Sequence, residues 1–131
     1  MEVQLKIIGI LLLALGLVHV AFPKYFDWKN DLKPLTLINR QMMEVHTFFI
    51  AFVVLLMGLL CFTCSNELVN SSFGKIISLG LALFWGMRLI FQFFVYSPKL
   101  WKGKKFETVV HIVFSLLWLC LTSVFFIIFI G

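Results

Sequence analysis

Charge is what this chain has least of. Eleven basic and six acidic side chains make up 13% of its 131 residues, where a soluble globule carries about a quarter. With 62% hydrophobic residues, that scarcity excludes an ordinary soluble domain. Cysteine is also sparse: Cys61, Cys64 and Cys120 are the only three. One C-x-x-C pair at Cys61–Cys64 fits a redox dithiol or half of a metal site. With no second pair to complete a metal site, two packing or surface thiols are the simpler account. The first apolar run has a lone Lys6 ahead of it and no small-x-small cleavage site after it, which argues against a signal peptide and for a retained helix. The E-x-x-H pattern of di-iron bundles is missing as well, and no haem signature beyond histidine is present.

What the sequence has in abundance is long apolar runs. A stretch of about 20 apolar residues crosses a bilayer core of about 30 Å, and four such stretches take up most of the chain. The expected fold is all-α: a four-helix transmembrane bundle, up-down-up-down, in a single integral membrane domain. Its helices are expected over about 3–22, 40–63, 74–96 and 106–130, with an interfacial loop over 23–39. Gly9 and Gly16, seven apart, share a helical face that a neighbour can approach closely. Gly74, Gly80 and Gly86 invite the same in the third segment. In the first loop Pro23 and Pro34 punctuate the chain. Between them Tyr25, Phe26 and Trp28 alternate with Lys24, Asp27, Lys29 and Asp31, a composition suited to lying along the headgroups. The loop at Phe22–Lys29 and the one at Ser97–Lys102 each combine Pro-Lys with a nearby Trp and Lys, an echo that two parallel hairpin repeats would produce.

The basic residues are distributed unevenly. Lys24, Lys29, Lys33, Arg40, Lys99, Lys102, Lys104 and Lys105 fall on one side of the expected bundle, and Lys6 and Lys75 on the other. By the positive-inside rule both basic loops belong in the cytoplasm, and both termini outside the plasma membrane. The net charge of +5 then serves topology and attraction to anionic headgroups, with no nucleic acid needed to explain it.

The remaining polar residues concentrate in the same half of the bundle. Arg40, Glu44 and His46 run directly into Thr47–Met57, and His46 lies about 9 Å beyond Arg40 along a helix axis. Arg40 and Glu44 are four apart and positioned to pair. His46 is about 200° around from Glu44, so only one of the two faces the bundle interior. Arg88 and Gln92 share a face of the third segment. An arginine at mid-span costs about 2.5–3.5 kcal/mol, so Glu44 or Glu107 is expected to hold it. Glu107 and His111 open a stripe continued by Ser115, Trp118 and Thr122, and His19 closes the first segment.

Several functions fit these residues. Imidazoles at matched depth on two helices can hold a haem iron, with His46 and His111 the natural pair and His19 the spare. A quinone or another lipophilic ligand would use Glu107, His111 and Glu44 for proton movement and Arg88, Gln92 or Arg40 for its anionic or carbonyl groups. No metal site is expected. The alternative is a non-catalytic assembly subunit, either a homo-oligomer or part of a larger membrane complex, whose polar residues form an interhelical network. Whether the protein is an enzyme stays open at this level.

The stretch Leu15–Phe26, Leu-Gly-Leu-Val-His-Val-Ala-Phe-Pro-Lys-Tyr-Phe, resembles the DoxX family of small four-helix membrane proteins. There a Gly-containing first-helix end is followed by Pro-Lys and an aromatic or leucine. The resemblance covers about a fifth of the chain and implies thiol or quinone redox chemistry. Cys61 and Cys64 also resemble the C-x-x-C of vitamin K epoxide reductase, a four-helix quinone enzyme, though its second cysteine pair is missing here. No catalytic residue is carried over from either family.

Overall fold

A backbone buried in hydrocarbon must satisfy its own N–H and C=O groups, and for an isolated apolar segment only a helix does so. The computed structural model, which describes all of Met1–Gly131, follows that rule. Its helices are α1 (Glu2–Val18), α2 (Phe22–Tyr25), α3 (Trp28–Asp31), α4 (Leu37–Thr63), α5 (Ser65–Asn70), α6 (Ser72–Phe94) and α7 (Lys105–Ile130), with short 3-10 turns at His19–Ala21 and Pro98–Leu100. Four stretches are long and apolar enough to span a membrane: Glu2–Tyr25, Leu37–Thr63, Ser72–Phe94 and Lys105–Ile130. The fold is therefore all-α, without strands, and its four long apolar helices pack as two hairpins, α1 with α4 and α6 with α7. The chain divides into two compact units, Met1–Ser65 and Asn66–Gly131, one hairpin each.

Most helix ends lie within two residues of those expected from sequence. The exceptions have local causes. The first span changes character at His19, where a 3-10 turn leads into Pro23, which carries no N–H for the helical ladder. The stretch between the first two spans is more ordered than a plain loop, because α2 and α3 occupy it, joined at Asp27. Asp27 holds φ 52°, a left-handed conformation that a short polar side chain tolerates. The second span starts at Leu37 rather than near Arg40, because Thr36 caps it, its Oγ1 accepting from the Asn39 N–H at 3.4 Å. At the start of α6, Ser71 does the same for Gly74 N–H at 2.8 Å.

The first hairpin closes on a seam of small residues. Gly9, Gly16, Ala51 and Gly58 are buried, together with Leu5, Ile8, Leu12, Val54 and Cys61. A methyl built on Gly9 would stand 2.8 Å from the Gly58 carbonyl oxygen, and one on Gly58 would stand 2.8 Å from the Gly9 oxygen. The two backbones touch, as small-residue packing in membranes allows. The second hairpin closes differently. Trp85 stacks on Trp118 with ring centroids 5.1 Å apart and planes 12° from parallel. Leu81, Ala82, Leu121, Phe125 and Ile128 fill the rest of the buried seam, and Lys75 Nζ donates to the Gly131 carbonyl at 2.9 Å. The glycines of α6 do not make this seam: Gly80 has nothing within 4 Å, and Gly86 is at an ordinary 3.6 Å from Thr122. Gly74 instead meets the Glu67 carbonyl, at the corner where α5 turns into α6. Large aromatic rings on α6 and α7 set the spacing there, which is why glycine is not needed between them.

Candidate functional site

The polar stripe of the second hairpin gathers around Gln92, an α6 side chain 8% exposed. Its Nε2 lies 2.7 Å from His111 Nδ1 on α7. Its Oε1 accepts from Trp118 Nε1 at 3.3 Å and from Arg88 Nη1 at 3.5 Å. Indole and guanidinium nitrogens only donate, so the amide oxygen must face Trp118 and Arg88. The amide NH2 then faces His111, whose Nδ1 must accept. A neutral His111 therefore carries its proton on Nε2 and presents a donor there.

Rings enclose both Arg88 and His111. The Arg88 guanidinium carbon sits 5.2 Å from the centroid of Tyr96 and 5.1 Å from that of Trp118, within cation–π range. His111 stacks under Trp101 with centroids 3.7 Å apart and meets Phe93 edge-on at 5.8 Å. Trp101 comes from the basic connection, and Thr108 Oγ1 holds its carbonyl at 2.6 Å. Sequence reading missed Trp101, Tyr96 and Phe93. Their only signal was aromatic character at the end of α6 and in the basic loop, to which the sequence assigned no role in the site.

The expectation that a carboxylate holds Arg88 is not met within this hairpin. Glu107 is exposed, one turn before His111, and Arg88 rests on rings and on Gln92 instead; Glu44 belongs to the first hairpin. The physical reason is reach. Tyr96, Trp118 and Gln92 Oε1 all lie in the Arg88 neighbourhood of the same hairpin, and together they replace a formal counter-charge. The stripe on α7 is otherwise as expected: Ser115 and Trp118 are buried, and His111 and Thr122 are half-buried. Its hydroxyls, however, bond their own helix, Ser115 Oγ to the His111 carbonyl and Thr122 Oγ1 to that of Trp118, both at 2.7 Å. They do not link helices.

In the first hairpin the expected site residues are spread out. Glu44 and His46 are both exposed, and Arg40 is half-buried. Neither of the first two turns inward, because the buried face of α4 begins only at Ala51. Arg40 and Glu44 form no ion pair; they line one open groove with Lys24, Asp27, Trp28 and Lys29. His19 Nδ1 donates to the Leu15 carbonyl at 2.8 Å, and His46 Nδ1 to that of Met42 at 2.7 Å. Each neutral ring thus keeps an unprotonated Nε2. His46 lies in the first unit and His111 in the second. No three of the His, Cys, Asp and Glu side chains gather as metal ligands. Cys61 is fully buried against α1, Cys64 is half-buried, Cys120 is exposed, and all three are free.

Four membrane-length helices in a chain with this composition define a small multi-pass membrane protein. Comparison with protein families, curated proteins and solved structures gave no match to this chain.

Proposed function

We propose that this four-pass protein binds a lipophilic ligand with a hydrogen-bond-accepting head, of which a quinone is the redox-active case, at the Gln92 cluster. One observation carries the reading: donors there outnumber acceptors. Arg88 brings five N–H groups, and the one bond it makes, to Gln92, is long at 3.5 Å. His111 presents a further N–H at Nε2, and the single amide oxygen available is already shared. In hydrocarbon unpaired donors are costly, and a ligand carbonyl or acidic head completes the set. Trp101, Tyr96 and Trp118 supply flat surfaces for its ring. Gln92 acts as a positioning residue that fixes which His111 nitrogen donates. The resemblance of Leu15–Phe26 to the DoxX family favours the quinone within this class.

The test is thermal stabilisation of the detergent-purified protein by short-chain quinones and by fatty acids. A ligand at a hundred times its Kd adds about 2.7 kcal/mol, a clear rise in Tm. His111→Phe keeps a ring under Trp101 and removes the donor, so it is expected to abolish most of that rise. Glu107→Gln, outside the cluster, is expected to keep it. No rise with any member of either series would refute ligand binding and leave the Gln92 cluster as an interhelical lock.

Haem is a second reading, favoured by the first hairpin. His19 and His46 each have Nδ1 tied to a backbone carbonyl, the arrangement that orients Nε2 toward a metal. His111 is the wrong tautomer for that role while Gln92 holds it. On this reading, a Soret band after haem reconstitution would be removed by His19→Ala or His46→Ala and kept by His111→Phe. Absence of the band disposes of haem.

A further inference from the structure

Where the first apolar span ends, the chain builds a groove of about 620 Å³ from α2, α3 and the opening turns of α4. Lys24, Lys29 and Arg40 line it on one side of the charge balance, Asp27 and Glu44 on the other, with the half-buried ring of Trp28 among them. None of the three cations is neutralised by an ion pair. The Asp27 carboxylate pairs with none of them; its oxygens accept from Asn30 Nδ2 at 3.1 and 3.0 Å, and each keeps a lone pair for a further donor. Glu44, one turn after Arg40, leaves the guanidinium free.

Depth identifies the ligand class. The membrane-length stretch that begins at Glu2 runs to Tyr25, and the next begins at Leu37. The groove therefore straddles the boundary between hydrocarbon and water, where lipid phosphates lie. Tyr25, 67% exposed, flanks it with an amphipathic ring of the kind that settles at that level, and Trp28 lines it. An arginine fork suits a phosphate, with lysines as point charges around it. The two carboxylates add acceptors for hydroxyl or ammonium groups on the same head.

We propose that this groove is a binding site for one phospholipid headgroup, its phosphate held by Lys24, Lys29 and Arg40 and its hydroxyl or ammonium donors by Glu44 and Asp27. The site is independent of the ligand proposed for the Gln92 cluster. It is more specific than a general attraction of basic loops to an anionic leaflet, because it needs these three cations rather than the charge they add.

Titration of delipidated protein in neutral detergent with phosphatidylglycerol, read as lipid adducts by native mass spectrometry, separates the two. Each cation at an anionic surface is worth ~1 kcal/mol, a factor of about five. The double variant K29Q R40Q is expected to weaken binding about 25-fold, and K99Q K102Q, with the same loss of charge in the other basic loop, to leave it within about twofold. Both variants alter exposed or half-buried positions, and an unchanged Tm shows that each remains folded. Equal losses from the two pairs would overturn the proposal in favour of nonspecific attraction. Binding of glycerol phosphate or inorganic phosphate as tightly as the lipid would overturn it in favour of a soluble anion.

Discussion

Replacing Gly58 with leucine is expected to separate α1 from α4 and to destabilise the first hairpin strongly. A Cβ at that position meets the Gly9 carbonyl oxygen at 2.8 Å and the Leu13 amide nitrogen at 2.9 Å. Both are backbone atoms, so no side-chain rotation relieves the clash. Overpacking a core costs about 1–3 kcal/mol even where side chains can move. Here the helices must part, and helices in lipid are held largely by close packing rather than by a hydrophobic drive. Unfolding in mixed detergent micelles is the measurement. Gly80→Leu is the matched control, because nothing lies within 4 Å of Gly80, and it is expected to be near neutral or mildly stabilising through helix propensity. Equal destabilisation by the two variants would mean that the Gly9–Gly58 approach does not hold this hairpin.

The second large effect concerns Gln92. Gln92→Leu removes the partner of three groups at once: Trp118 Nε1, Arg88 and His111 Nδ1. The bonds to Trp118 and His111 cross between helices, and such bonds in membranes average about 0.6 kcal/mol, which puts the direct interhelical loss at about 1 kcal/mol. Donors left buried without a partner raise it, at about 1–3 kcal/mol for a fully orphaned group. Gln92→Glu separates fold from site. A carboxylate still accepts from Trp118 and Arg88 but cannot donate to His111, so His111 must turn donor at Nδ1. Nitrogen-15 NMR of the ring is expected to show protonated Nε2 in the parent and protonated Nδ1 in the variant. Stability should change little in Gln92→Glu, while the ligand-induced rise in Tm is lost. A parent ring already protonated at Nδ1 would refute the amide orientation on which the site rests.

The two seams differ in how far they could be read in advance. Gly9 and Gly16 declared themselves by spacing, since residues seven apart share a helical face. Gly58 shares a face with Ala51, also seven away, but only the register between α1 and α4 sets it against Gly9. Gly80 was also expected to invite close packing, although six residues from Gly74 and Gly86 it shares no face with either, and it turned out to face open space. Spacing tells which residues share a face, not which face meets a neighbour.

The polar residues show the same division. Arg88, Gln92, His111 and Trp118 were legible as two polar stripes, yet of the two carboxylates expected for Arg88, Glu107 in the same hairpin does not hold it. A sequence argument pairs charge with charge. The folded hairpin offered an amide oxygen and two rings closer at hand, and cation–π contact with a shared hydrogen bond took the place of a carboxylate. Trp101 reaches His111 because the short connection, with Gly103 at φ 78°, lets the chain fold back over the start of α7. No periodicity encodes that.

Composition and hydropathy alone determined that this chain forms membrane-length helices, how many there are, and roughly where each begins. Lipid leaves a backbone no other way to satisfy its hydrogen bonds, so apolar length suffices to specify the element. Tertiary structure decided which faces touch, that small residues close one hairpin and tryptophans the other, and that Gln92 rather than a carboxylate organises the polar cluster. Those outcomes depend on register and on the close fit of residues far apart in the chain, which helical periodicity does not carry.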